Sequence, residues 1–315
     1  MHEIISILKK ANRIALFSHV NPDPDTIGST LALKLALEKM GKKVSVFCDA
    51  ENMSDFDFLT SGIYNADELS GFDLFVSVDV SAGNMLGKFE EAFCSFEKTI
   101  KIDHHSSGND FASKQIVVTE SACAVLIFDL IKKLKVNIDG EIATCLYFGI
   151  CGDTGVFRNT NIDSKTFLVC SELLACGADY KKVYREFFDK QTIENVLISS
   201  NALLNAKLDA DKNYAIMQVS SGDYKKFNAT ENESLGNLPN VLLNCGYKIA
   251  VILKQKDDCI RCSFRSQPEY DVSKIAVTFG GGGHKNASGC SIFESLTKAK
   301  DMVEEKIKKY LRGEL

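Results

Sequence analysis

Apolar residues run along the chain in short blocks, and the spacing within each block separates strands from helices. Arg13 to Val20 holds a continuous apolar core (Ile14, Ala15, Leu16, Phe17) and predicts a strand. Ile27 to Met40 repeats apolar residues at helical spacing and stops at Gly41, which predicts a helix with a glycine C-cap. Between the two lies a polar turn, Ser18-His19-Val20-Asn21-Pro22-Asp23-Pro24-Asp25, running on to Gly28-Ser29. Lys42 to Cys48 and Phe72 to Val80 predict further strands. The second is apolar almost throughout, as expected of a parallel strand buried on both faces. A helical segment from about Asn84 to Cys94 follows it.

Lys98 to Ile102 predicts a strand that runs into Asp103-His104-His105, and Ile116 to Val118 a further short one. Helices are expected over about Ser121 to Leu134 and Gly140 to Ile150. The second ends in a glycine-broken turn, Gly149-Ile150-Cys151-Gly152-Asp153-Thr154-Gly155. Residues 163–188 read as helical, broken at Gly177-Ala178-Asp179, and Gln191 to Leu208 as a helix connecting two domains. Beyond it the pattern changes. Strands are expected over Tyr214–Val219, Ile249–Lys254 and Cys259–Ser263, with a helix near Leu235–Asn244. The run Gly280-Gly281-Gly282-Gly283-His284 follows, and an amphipathic helix from Leu296 to Leu311 closes the chain. Residues 52–70 carry no regular pattern. The expected fold is therefore α/β. A doubly wound, mainly parallel sheet domain covers 1–188, a linker helix 189–207, and a smaller α/β domain with a mixed sheet 208–315.

Composition changes this picture in two places. The 315 residues carry a net charge of −5, which argues against a protein that coats long nucleic acid. The imbalance is unequal: residues 1–205 hold 20 Lys/Arg against 28 Asp/Glu, and residues 206–315 hold 17 against 14. An acidic half suits cations and a mildly basic half suits an anionic substrate. Eleven cysteines sit mostly in apolar segments, and the single Cys259-x-x-Cys262 has no second pair at zinc spacing. Free thiols in a reducing cytoplasm are the expectation. No apolar run approaches the roughly 18 residues of a membrane span, and the N-terminus lacks a signal-peptide pattern, so no membrane contact is expected.

The candidate chemistry lies in the punctuated turns. Four of the five histidines (His19, His104, His105, His284) sit there, and Asp79 and Asp153 occupy comparable ends of elements. An aspartate after a strand is by itself often a turn former or N-cap, and a lone histidine is more often structural than a ligand. The ordered set is harder to obtain from turn chemistry: His-x-x-x-Asp-x-Asp, a strand-end Asp, Asp-His-His, then Gly-Asp-x-Gly. Carboxylates mixed with imidazole, without thiolate, suit Mn²⁺ or Mg²⁺, and imidazole tilts the choice to Mn²⁺. Four aspartates and two histidines are too many for one ion. Two ions about 3.5–4 Å apart clamp a phosphoryl group for in-line attack. In the C-terminal half, Ser263-Phe264-Arg265-Ser266 sets a guanidinium near a strand end, suited to bidentate phosphate contact. The glycine run would let a ligand approach backbone N–H groups. A plain glycine turn beside a surface arginine would carry the same residues.

These motifs resemble the DHH phosphoesterase family, and the glycine-rich stretch resembles its DHH-associated C-terminal domain. Together they span Ser18 to Gly289. The resemblance implies that His19 and Asp23 bind one metal, and Asp25, His104 and Asp153 a second, with Asp79 bridging. The metals would be two divalent ions, Mn²⁺ in the first place, with Mg²⁺ or Co²⁺ as alternatives. Asp103 would orient a histidine. His105, Arg265, Ser266, Gly281, Gly282, Gly283 and His284 would hold the substrate phosphate, with His105, Asp103, Arg265 and His284 taking part in catalysis. The short two-domain branch implies hydrolysis of oligoribonucleotides of 2–5 nucleotides to mononucleotides, and of 3′-phosphoadenosine-5′-phosphate (pAp) to AMP. It also implies a cytoplasmic homodimer. A soluble phosphodiesterase acting on cyclic-di-AMP or linear dinucleotides (pApA, pGpG) is the alternative. From another class, a nucleotide-binding regulatory protein on this fold is the other, although none of the expected ligands is missing. Arg158 is expected at the surface.

Overall fold

A computed structural model describes residues 1–50, 57–60, 69–105, 108–158, 161–188, 192–230, 235–236 and 238–315. The chain divides into two compact units, Met1–Asp189 and Lys190–Leu315. The unpatterned stretch 52–70 and the expected helix start at Gln191 lie largely or wholly outside the described residues.

In the first unit the elements are α1 (His2–Lys10), β1 (Arg13–Phe17), α2 (Pro24–Lys39), β2 (Lys43–Phe47), α3 (Asp57–Thr60), β3 (Leu74–Val78), α4 (Glu90–Ser95), β4 (Thr99–Asp103), β5 (Lys114–Val117), α5 (Cys123–Leu134), α6 (Gly140–Asp153), α7 (Ser164–Ala175) and α8 (Tyr180–Phe188). The five strands form one parallel sheet in the order β2-β1-β3-β4-β5. Both faces of the central strands are apolar. In β1, Ile14 and Leu16 face the core with α2, α5 and α6, while Ala15 and Phe17 join Phe47, Phe75 and Phe93 on the other side. Phe17 stacks on Phe47 at 5.2 Å and meets Phe93 edge-on at 5.2 Å. The strand order reverses between β1 and β3, and the carboxyl ends at such a switch are where open α/β sheets bind ligands.

Two elements depart from the expected pattern. Eleven of the 16 residues of α2 are buried, among them Asp25, Thr26, Ser29 and Thr30, so α2 is a central helix and the polar residues of its first two turns are buried. The segment expected as one helix over 84–94 is a 3₁₀ stretch, Gly83–Phe89, followed by α4. Gly87, at φ 58° and ψ −130°, breaks the two apart.

The second unit contains α9 (Ile193–Leu204), β6 (Lys207–Leu208), β7 (Tyr214–Val219), α10 (Ser221–Phe227), α11 (Pro239–Asn244), β8 (Ile249–Gln255), β9 (Ile260–Ser266), α12 (Ser273–Val277), β10 (Gly282–His284), β11 (Ala287–Ile292) and α13 (Leu296–Leu311). Its six strands run β10-β11-β9-β8-β7-β6. The sheet is mixed, since β7 and β8 pair in parallel and the other neighbours antiparallel. Helix α9, expected as a linker, buries Ile198 and Ala202 in this unit's core. All eleven cysteines are free; buried Cys262 lies directly opposite Cys290, and Cys259 is partly exposed. No helix among the described residues is long and apolar enough to cross a membrane.

Glu304 on α13 ties this unit together. Its carboxylate accepts hydrogen bonds from Tyr214 Oη (2.8 Å) and Lys207 Nζ (2.5 Å), and Lys308 Nζ lies at 2.7 Å. Burial would raise its pKa, but the bonds from Lys207, Lys308 and Tyr214 outweigh that and hold it at about 2. A depressed carboxyl stabilises the fold above its unfolded value, and that contribution fades as pH falls from about 4.5 through about 2. Glu304→Gln is expected to cost about 1–3 kcal/mol at neutral pH. It should also flatten the loss of stability across that acid window, as read from thermal unfolding at a series of pH values.

Candidate metal centre

The carboxyl end of β1 sets the first residues. Ser18 N–H donates to Phe47 O (3.0 Å) and Val20 N–H to Met85 O (2.9 Å), which fixes the peptide on both sides of His19. Asp23 is the N-cap of α2: its Oδ1 accepts from the N–H of Asp25 (3.0 Å) and of Thr26 (2.9 Å), with Pro24 at the first helical position. This capping turns Asp25 and Thr26 inward. The Asp25 carboxylate is fully buried and meets the N-terminus of α5, accepting from Cys123 N–H (2.5 Å), Ala124 N–H (2.9 Å) and Ser29 Oγ (3.0 Å). Burial and the Asp153 charge nevertheless push its pKa up to about 7.

Asp79 follows β3 with φ 60°, a conformation that Asp tolerates better than most residues. Its N–H donates to Ile102 O at 2.8 Å. Its Oδ2 accepts from Thr26 Oγ1 at 2.6 Å, while its Oδ1 is buried with no hydrogen bond. Burial raises its pKa well above the usual carboxylate range, and the charges of Asp25 and Asp23 raise it further. Thr26 Oγ1 also lies 2.6 Å from His19 Nε2. The Thr26 hydroxyl thus joins the Asp79 carboxyl and the His19 ring in one hydrogen-bonded chain. Burial lowers the His19 pKa, in keeping with a neutral ring.

His104 follows β4. Its Nδ1–H donates to Glu120 O at 3.1 Å, which leaves Nε2 as the open donor atom. That atom lies 3.1 Å from Asp153 Oδ2, 3.5 Å from Asp79 Oδ1 and 3.9 Å from Asp25 Oδ2. Burial alone would lower the His104 pKa, but the Asp153 bond and the Asp25 and Asp79 charges raise it to about 10. The His105 ring lies beside it: its Nδ1 is 2.8 Å from Asp103 Oδ1, on the last residue of β4, and 3.7 Å from Asp79 Oδ1.

Asp153 was expected in a turn after a helix ending near Ile150. Instead α6 runs through Gly152 and Asp153 is its last residue. Glycines bring it there. A Cβ at Gly149 would stand 2.8 Å from Asp25 Oδ1, one at Gly152 2.5 Å from Pro24 Cβ, and one at Gly28 2.3 Å from Cys145 O. Helices α2 and α6 therefore touch backbone to backbone. After Asp153, Gly155, Val156 and Phe157 all have positive φ (56°, 53° and 65°), a tight reversal that leaves Arg158 exposed.

Among the described residues the outcome is two separate triads, His19-Asp23-Asp79 and Asp25-His104-Asp153, each with ligand atoms within 4.8 Å of one another, joined by a third group, Asp79-His104-His105, that shares Asp79 with the first and His104 with the second. A divalent cation fits this donor set. Buried carboxylates press against each other, and two buried ligand atoms, Asp79 Oδ1 and His104 Nε2, lack a hydrogen bond of regular geometry. All six expected metal ligands fall in this cluster. Thr26 was not foreseen, and the only signal for it was a polar residue on the inner face of a helix's first turn.

The remaining expected residues lie in the second unit. Arg265 and Ser266 end β9, and Gly282, Gly283 and His284 form the edge strand β10, with Ala287 paired to both Arg265 and His284. The glycine run is not an open cradle throughout. Gly280 N–H and Gly281 N–H donate to Val277 O and Ala276 O at the end of α12, both at 3.0 Å. The Arg265 guanidinium is partly buried, donates to Phe264 O (2.9 Å), and has its pKa lowered by burial. His284 is exposed.

Residues 13–150 match the DHH family, N-terminal domain, and residues 211–309 the DHHA1 domain. The chain thus carries a DHH N-terminal domain followed by a DHHA1 domain. A Bacillus subtilis relative named bifunctional oligoribonuclease and PAP phosphatase NrnA is 26% identical over 300 residues, covering 92% of this chain and 93% of its own. Among solved structures, an exopolyphosphatase-related protein from Bacteroides fragilis superposes with a TM-score of 0.91 at 26% identity, covering 98% of this chain and 95% of that one. An exonuclease RecJ bound to manganese shares the fold, with a TM-score of 0.58 at 16% identity, covering 98% and 94%.

Proposed function

We propose that the chain is a two-metal, Mn²⁺-dependent phosphoesterase that hydrolyses oligoribonucleotides of 2–5 nucleotides to mononucleotides and pAp to AMP and phosphate. The observation that carries this reading is the pair of carboxylate–imidazole triads linked by a third group in which Asp79 of one meets His104 of the other. His19 and Asp23 would hold one ion, Asp25, His104 and Asp153 the other, and Asp79 both. Mn²⁺ suits that mixture of hard oxygen and imidazole donors. Bound there, the ions would supply positive charge for the phosphoryl group in the transition state and make water acidic enough to attack at neutral pH.

The chain's own side chains do the rest. The Glu120 carbonyl sets which ring nitrogen of His104 keeps a lone pair, and the Thr26 hydroxyl holds the ring of His19 in place. Asp103 takes the Nδ1 side of His105 and leaves Nε2 for a phosphate oxygen. Arg265, on a partly buried stem, offers a forked donor for a phosphate, and Ser266, Gly281, Gly282, Gly283 and the exposed His284 lie on the same corner of the second sheet. Substrates with one to a few phosphates match this small set of donors better than a long strand does. The reading includes a cytoplasmic homodimer; the cytoplasm rests on the free cysteines and the dimer on family resemblance. Exposed Phe167, Leu168, Tyr180 and Tyr184 on α7 and α8 give such a contact a surface.

The test compares a labelled RNA dinucleotide, pAp and cyclic-di-AMP with purified protein and Mn²⁺. Turnover of the dinucleotide and pAp, with cyclic-di-AMP slow, is the expected result. Preference for the cyclic dinucleotide would replace the substrate assignment. Binding of all three without hydrolysis would leave a nucleotide-binding protein.

A further inference from the structure

Lys101 stands inside β4, two residues before Asp103, and its side chain is only 3% exposed. An ammonium that deep is costly unless every N–H finds an acceptor. Its partners come from separate places: Ser81 O (2.7 Å) and Asn109 O (3.3 Å) accept hydrogen bonds, and the Asp103 carboxylate pairs with its charge, Oδ2 lying at 3.3 Å. The ring of Phe111 covers the ammonium at 5.4 Å.

Each partner leads to the metal centre or its neighbour. Ser81 is two residues beyond Asp79. Asn109 N–H donates to the same Ser81 carbonyl (3.1 Å), and Asn109 Oδ1 accepts from Gly83 N–H (3.2 Å). The fit is close: a Cβ at Gly108 would lie 2.2 Å from Ser81 O. Asp103 accepts from both nitrogens offered by His105, the ring Nδ1 at 2.8 Å and the backbone N–H at 3.3 Å.

We propose that Lys101 is a positioning residue for the centre, acting through Asp103 on the ring of His105 and through Ser81 on the backbone that carries Asp79. One buried cation thereby couples the residue reaching between the ligand groups to the residue facing the substrate. Replacing it should loosen both without removing any ligand.

The kinetic arm of the test rests on the hydrolase reading above; the metal arm does not. Wild type, Lys101→Met, Asp103→Asn and the double variant are compared. Lys101→Met is expected to lose about tenfold or more in kcat with KM within about threefold. Asp103→Asn should lose a similar amount, and the double variant no more than either. Melting temperature separates positioning from simple support. The double variant, with both charges removed, should regain the stability that Lys101→Met loses, while its kcat stays low. Wild-type kcat in Lys101→Met, losses that multiply in the double variant, or a kcat that returns with stability would each overturn the proposal. If the wild type turns over none of the three substrates, the hydrolase reading fails alone. Mn²⁺ calorimetry then decides: binding weaker by about tenfold in Lys101→Met supports the proposal, and equal binding overturns it. Should Lys101→Met not fold, the double variant carries the metal arm with the same two outcomes.

Discussion

Asp79→Asn should lower kcat/KM by about a thousandfold or more, equivalent to about 4 kcal/mol of transition-state stabilisation. The size of the effect follows from where the carboxylate sits. Asp79 belongs to two of the three candidate ligand groups, one of them the His19-Asp23-Asp79 triad. Its Oδ1 lies 3.5 Å from His104 Nε2, the open atom of the other triad. Asn is the informative replacement, since it keeps the size of the side chain and tolerates the φ of 60°. It removes a charge that burial and the Asp25 and Asp23 carboxylates disfavour. The metal-free variant should therefore melt no lower than metal-free wild type, while Mn²⁺ no longer raises its melting temperature as it does the wild type's. Activity assays with excess Mn²⁺ and paired melting curves check both halves. Residual activity above about a tenth of wild type would remove Asp79 from its assigned place.

Gly28→Ala should cost about 3 kcal/mol, the upper part of the range for overpacking. The added Cβ would stand 2.3 Å from Cys145 O and 2.9 Å from Gly149 N. Both are backbone atoms of a buried helix and cannot swing aside as a side-chain tip can. Helices α2 and α6 must separate, and they carry Asp25 and Asp153. Lower stability and weaker Mn²⁺ binding are thus expected together from one methyl group that touches no ligand. Gly236→Ala, with no heavy atom within 4 Å, is the control. Equal urea midpoints for the two variants would contradict the backbone contact between α2 and α6.

Much of this was legible in the linear pattern. The strands of the first sheet are short apolar runs because both faces are covered, and Tyr214–Val219 and Leu296–Leu311 appear in the structure with the bounds their spacing suggests. The ligand residues stood out because imidazoles and carboxylates clustered where apolar blocks ended. What stayed hidden depends on contacts between distant segments. Nothing local says that Lys101, in Thr-Ile-Lys-Ile-Asp, points into the core at Ser81, since an alternating strand offers the same residue to solvent. The continuation of α6 through Gly152 runs against glycine's low helix propensity and is favoured by contact with Pro24 and Asp25. Strand β10 is not legible because Gly282-Gly283-His284 lacks the side chains that mark a strand; pairing with β11 makes it one.

Six side chains at one end of the first sheet are placed to hold two divalent ions. Calorimetric titration of chelator-treated protein with Mn²⁺ tests it most directly. Two ions per chain are predicted for the wild type, with Asp79→Asn losing affinity at both sites because Asp79 serves both. A single ion per chain, or two whose affinities are unchanged in Asp79→Asn, would contradict it.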